Sequence, residues 1–124
     1  MNPKIKARWI TRLRSGEVPQ TSGGLRDAHG QCCLGVLCEL AVEDKVIPAS
    51  EVGDLGFHVY GEGEDQQGGI LPNAVVDWAG LPEQDPSVDM DADDEEDVIE
   101  RSLSDLNDTG WTFAEIADLI EEQL

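Results

Sequence analysis

Apolar residues in the first fifteen positions recur at helical spacing, with Ile5, Trp9, Ile10 and Leu13 on one face. Asn2 is placed to cap that helix, Pro3 suits its first position and Gly16 stops it, which predicts a helix over residues 3–15. Lys4, Arg8 and Arg12 make a basic i, i+4 stripe on another face. From Val18 to Gln31 the period is lost, and Gly23-Gly24 with the turn-like Asp27-Ala28-His29-Gly30 predicts a short β-hairpin. The run from Cys32 to Val42 is the longest nearly uninterrupted apolar stretch, and any fold must bury it. Its continuation through Glu39, Leu40 and Ala41 favours a helix with Cys33, Val36, Leu37 and Leu40 inward. Gly35 inside that helix costs about 1 kcal/mol against alanine, which points to close backbone packing there.

Residues 43–56 read as loop. Phe57-His58-Val59-Tyr60 has strand character, Gly61 to Gly69 is a turn, and Ile70-Leu71 is the expected returning strand. Pro72 opens a short helix with Val75, Trp78 and Ala79 inward, stopped by Gly80 and Pro82. Residues 83–97 form an acidic loop. Ile99, Leu103 and Leu106 then define a helical face, with Asp94 to Asp97 at its start, where the macrodipole favours anions. After a break at Asn107-Asp108-Thr109-Gly110, Thr112 and Glu115 form a capping box and Trp111 is placed to staple against Ile116. Phe113, Ile116, Ile120 and Leu124 continue the apolar face. The expectation is one α+β domain over residues 1–124, about four or five short helices packed on a small antiparallel sheet.

Charge changes the picture more than composition does. The net charge is −19, and it is unevenly placed. Residues 1–26 carry six Lys or Arg against the single acid Glu17, whereas the rest of the chain carries 26 acids against Lys45 and Arg101. Such a surface repels nucleic acid and anionic membrane over most of its area and favours basic partners. The basic first helix is therefore expected to dock on acidic neighbours or on a partner subunit rather than on phosphate. No run approaches the roughly 18 apolar residues of a membrane span, and no leader resembles a signal peptide. Three cysteines, two of them adjacent, make no disulfide framework, so a reducing, cytoplasmic setting is expected.

The candidate chemistry is limited. Cys32 or Cys33 at the start of an apolar helix, with His58 on a later strand, is the layout of a papain-like cysteine hydrolase. The gap to His58 is short and no third, orienting residue stands out. Zinc on His29, Cys32, Cys33 and Cys38 is disfavoured, because Cys33 and Cys38 lie five apart and point to different sides of a helix. Asp89, Asp91, Asp93, Asp97 and Glu100 occupy the oxygen-ligand positions of an EF-hand loop for Ca²⁺. Asp94, however, stands where that loop needs glycine for its sharp turn. The same segment invites comparison with nucleic acid, since residues 83–100 contain ten acids. Extended, they give one charge per ~6 Å, against ~3.4 Å along one DNA strand, so only a folded presentation would imitate phosphate spacing. Phe113 to Ile120 resembles the first helix of many helix-turn-helix domains. No recognition helix follows, and Glu115, Asp118, Glu121 and Glu122 face outward, so DNA binding is not expected there.

Three blocks carry a family resemblance: Cys32-Cys33-Leu34-Gly35-Val36-Leu37-Cys38, Leu71-Pro72 through Trp78-Ala79-Gly80-Leu81, and Leu106-Asn107-Asp108 through Phe113 to Glu121. With Trp9 and Leu13-Arg14-Ser15-Gly16, they resemble a group of small accessory proteins of tailed phages and prophages whose activity is uncharacterised. The resemblance covers nearly the whole chain, leaves the acidic stretch 83–97 outside its blocks and brings no catalytic residue with it. It implies an accessory product acting inside an infected bacterium. The resulting expectation is a non-enzymatic protein, without cofactor, that binds a basic host protein and imitates nucleic acid in a host-defence factor. Asp89, Asp91, Asp93, Asp94, Glu95, Glu96, Asp97 and Glu100 are its expected contact residues. The cysteine hydrolase and the Ca²⁺ module are the alternatives.

Overall fold

The structure, a computed structural model, describes residues 1–91 and 98–124. Helix α1 (Pro3–Arg14) starts where Asn2 accepts hydrogen bonds from the Lys4 and Ile5 N–H groups, and it buries the predicted Ile5, Trp9, Ile10 and Leu13. Helix α2 (Cys33–Glu43) is the centre of the molecule. It is buried on every side rather than on one face, because Leu34, Gly35, Cys38 and Ala41 are covered as well as the four residues expected inward. Trp9 donates its indole N–H to the Cys33 carbonyl at 2.9 Å and ties α1 to the start of α2. Gly35 is needed for the close approach predicted: a Cβ there would lie 1.9 Å from the Leu25 carbonyl oxygen.

Between α1 and α2 the expected hairpin does not form. Residues 18–31 make isolated bridges, Gln20 with Gln31 and Arg26 with Gln31, and besides its own local bonds the loop is held by groups remote in sequence. Asn107 is the main one. It is buried; its carbonyl oxygen accepts from Cys33 N–H and Gln20 Nε2, and its amide donates to Thr21 O at 2.7 Å.

The next segment pairs differently from expectation. Strand β1 (Glu51–Val52) comes from residues read as loop and pairs antiparallel with β2 (His58–Val59). Ile70-Leu71 is not the returning strand; Leu71 is fully buried and bonds to Gln84. A tight turn through Leu55 (φ 61°) and Gly56 (φ 82°) closes this local pairing instead. Helix α3 (Asn73–Ala79) follows Pro72 and ends on left-handed Gly80. Val75 and Ala79 are buried, Trp78 is half-buried, and the Asp65 carboxylate caps the first turn through Asn73 and Ala74 N–H.

The largest departure is at residues 87–102. Strands β3 (Ser87–Asp91) and β4 (Val98–Ser102) form an antiparallel hairpin where a loop and the start of a helix were expected. Helix α4 (Leu103–Asp108) begins only after Ser102, whose hydroxyl accepts from Asp105 N–H. Ile99 therefore lies on a strand, not on the helical face of Leu103 and Leu106. Helix α5 (Phe113–Gln123) carries the predicted Thr112–Glu115 capping box and packs against α1. The fold is α+β as expected, with five α-helices among the described residues, but its strands form two separate two-stranded sheets.

Candidate functional site

The cysteines lie inside the core. Cys32 caps α2, where its sulfur accepts from Gly35 N–H, and burial pushes its thiol up to about 11. Cys33 donates to the Leu103 carbonyl, and burial raises both its thiol and that of Cys38 well above the ordinary range. A thiol that resists ionisation in this way is a poor nucleophile. His58 bonds through Nδ1 to Ser50 Oγ at 2.8 Å, and neither Cys32 nor Cys33 has it as a hydrogen-bond partner among the described residues. His29 is exposed on the preceding loop. Among the described residues no three His, Cys, Asp or Glu side chains converge as metal ligands do.

The basic helix is largely occupied by the protein's own acids. Arg8 grips Asp44 at 2.7 and 3.0 Å, and Arg12 grips Glu43 at 2.7 and 3.1 Å, both at the end of α2. Arg14 reaches Asp118 and Glu121 of α5, each at 2.7 Å. The hydrogen bonds from Arg12 and Arg8 hold the Glu43 and Asp44 carboxyls below their ordinary values. A shallow trough of about 350 Å³ beside α1 is lined by these same Arg8 and Arg12 side chains, so it offers no free cationic cradle. Arg26 is paired with Glu39 at 2.9 Å. Beside that pair the fully buried Tyr60 hydroxyl has no hydrogen-bond partner among the described residues, and desolvation raises its pKa.

The β3–β4 hairpin is different. Its register sets Asp89 directly opposite Glu100 and Met90 opposite Ile99. Paired residues share a face, so the Asp89 and Glu100 carboxylates stand side by side and exposed, while Val88 turns into the core on the other face. Like charges directly opposite in a ladder are destabilising. Among the described residues no base is paired with them, and Arg101 turns instead to Asp105 at 2.7 Å and to Thr109. Asp91 pairs with Val98 in the same register. Asp93, Asp94, Glu95, Glu96 and Asp97 lie outside the described residues. An EF-hand needs a helix on each side of its loop, whereas here strands β3 and β4 carry Asp89, Asp91 and Glu100 of that reading, and its Asp93 and Asp97 are among the residues not described.

The family model described as a domain of unknown function (DUF8296) matches residues 1–124, the acidic stretch included. The chain belongs to this family. No curated protein and no solved structure matches it. Among the described residues, no helix is long and apolar enough to cross a membrane. What sequence reasoning missed is mostly anchoring: Asn107, Gln20 and Gln123 hold loops and edges through side-chain amides, and no periodic signal announces them. Asn107 alone had a pointer, since it sits inside one of the blocks that carry the family resemblance.

Proposed function

We propose that this protein is a non-enzymatic binding protein whose acidic hairpin docks on the basic surface of a host protein. One observation carries the reading: Asp89 and Glu100 are held side by side on an exposed face with no base paired to them among the described residues, in a molecule whose arginines are spent elsewhere. That arrangement costs stability when the protein is free, and a Lys or Arg brought by a partner reverses the cost. The acids of residues 92–97 add charge to the same segment of sequence. The resemblance of the three blocks to accessory proteins of tailed phages makes a bacterial host protein the partner class, in the cytoplasm of an infected cell. A basic groove that normally holds nucleic acid, as in a restriction or CRISPR factor, is a surface of the right sign.

The imitation need not be phosphate by phosphate. On the paired strands, Asp89, Asp91 and Glu100 share about five residues of rise, or one charge per ~6 Å, sparser than the ~3.4 Å of one DNA strand. Electrostatic attraction, rather than a faithful copy of the duplex, is what the spacing supports. Asp89→Asn and Glu100→Gln, combined with neutralisation of Asp93 to Asp97, should abolish salt-sensitive capture of a host protein from lysate and leave the circular-dichroism spectrum unchanged. Unchanged capture by the neutralised protein sinks the proposal. The buried thiols favour no hydrolase reading; they should resist alkylation until the protein is denatured, and one fast-reacting thiol in the native state would reopen that reading.

A further inference from the structure

The two outer edges of the β3–β4 hairpin are treated differently. On β3, the side-chain amide of Gln123 acts as a substitute strand: its Oε1 accepts from Asp89 N–H at 2.6 Å and its Nε2 donates to Asp89 O at 2.8 Å. Both backbone groups of Asp89 therefore point away from β4. In an antiparallel ladder the opposite residue must do the same, so the N–H and C=O of Glu100 point out of the far edge of β4. The Leu103 N–H to Pro86 O bond fits this alternation, since it puts the inward-bonding pairs at 86/103, 88/101 and 90/99. Among the described residues nothing bonds to the Glu100 backbone groups. Ile99 beside them is 50% exposed, and it is one of the few large apolar side chains left in solvent. The edge is short, because Ser102 turns the chain into α4.

We infer that this free edge of β4 accepts an added strand from the partner, an extended segment with Lys or Arg at every second position and apolar residues between. The inference rests on the proposed acidic docking surface and specifies how the partner lies on it. An open edge is a template for main-chain pairing, and it gives affinity with little demand on sequence. Charge fixes the register. The residue opposite Glu100 shares a face with the Glu100 and Asp89 carboxylates, so it is basic. Its neighbours share a face with Ile99 and cover it. The added strand runs antiparallel to β4, so the basic residue uses its own N–H and C=O to pair with Glu100 and the apolar residues point theirs outward.

The probe is a synthetic peptide of alternating lysine and valine, in three forms: unmodified, N-methylated on the backbone at its lysines, and N-methylated at its valines. All three carry the same charge. The unmodified and valine-methylated peptides should bind and slow hydrogen exchange at the Glu100 amide. The lysine-methylated peptide should do neither. Glu100→Pro removes only an outward N–H, so the β3–β4 ladder keeps its bonds, and it should weaken the unmodified peptide by about tenfold more than Glu100→Gln does. Equal binding of both methylated peptides, or an unchanged Glu100 amide in the complex, overturns edge addition and leaves the acidic surface standing as a purely electrostatic site. Failure of every peptide to bind at low salt overturns edge addition and the docking surface together.

Discussion

Along the seam where α1 meets α2 and α5, the carboxylates of Glu43, Asp44, Asp118 and Glu121 each have an arginine within about 3 Å; on the β3–β4 hairpin, Asp89 and Glu100 stand opposite each other with no basic partner among the described residues. Other acids also have structural tasks. Asp65 caps α3, Asp85 caps α4 through Ser104 N–H, and Asp27 closes its own turn through His29 and Gly30 N–H. Acidic composition is therefore two things here. In the body it closes the fold by meeting arginines and helix N-termini, and on the hairpin it stands open. The difference teaches that net charge alone is a poor guide to an interaction surface, and that the bonding state of each acid is a better one.

Four measurements test that division, in falling order of effect. The largest concerns the neutral residue that performs the same closing task in the core. Asn107→Ala leaves Cys33 N–H and Thr21 O unpaired and removes one bond of the Gln20 amide, which keeps those to Trp111 O and Phe113 N–H, and it should lower unfolding free energy by about 3 kcal/mol in urea titration. Asp85→Ala removes a cap and the bond to the Ser104 hydroxyl, and it should cost about 1–2 kcal/mol. Stability measured against pH comes next. The Glu43 and Asp44 carboxyls are lowered in the folded state, so their contribution is complete above the ordinary carboxylate range near 4 and is lost as pH falls through the lowered values. Both pairs are exposed and screened, so the loss should be small and should shrink further in high salt. Last, Asp89→Asn with Glu100→Gln should raise stability by about 0.5 kcal/mol, because it relieves a like-charge pair. A clear loss of stability from that double change would mean that the hairpin acids belong to the closing set after all.

Much of this was legible in the chain. The Ile5, Trp9, Ile10 and Leu13 face, the Asn2 cap and the Thr112–Glu115 box are set by neighbours three or four residues away, and α1 and α5 form as their patterns indicate. The open acids were legible only as composition. Their pairing was not, because Ile99, Leu103 and Leu106 also fit a helical face, and nothing local reveals that residues 98–102 have partners at 87–91. The loop at 18–31 misled for a related reason: its turn residues suggest a hairpin and Asp27 does close its turn, but only isolated bridges form and part of the loop is anchored by Asn107, more than eighty residues away.

The sequence by itself determined the starts of α1, α3 and α5, the α+β class, the central place of the Cys32 to Val42 run and the close approach at Gly35. These depend on short-range periodicity, capping chemistry and the simple need to bury the most apolar segment. Only the tertiary structure decided that α2 is covered on all sides and its thiols are sealed. It alone decided that the arginines of α1 are taken by α2 and α5, and that Asp89 meets Glu100 across a ladder beside an edge that no described residue pairs with. Those outcomes depend on which distant segments meet, and the entropy of closing long loops is repaid only by contacts that no local pattern encodes.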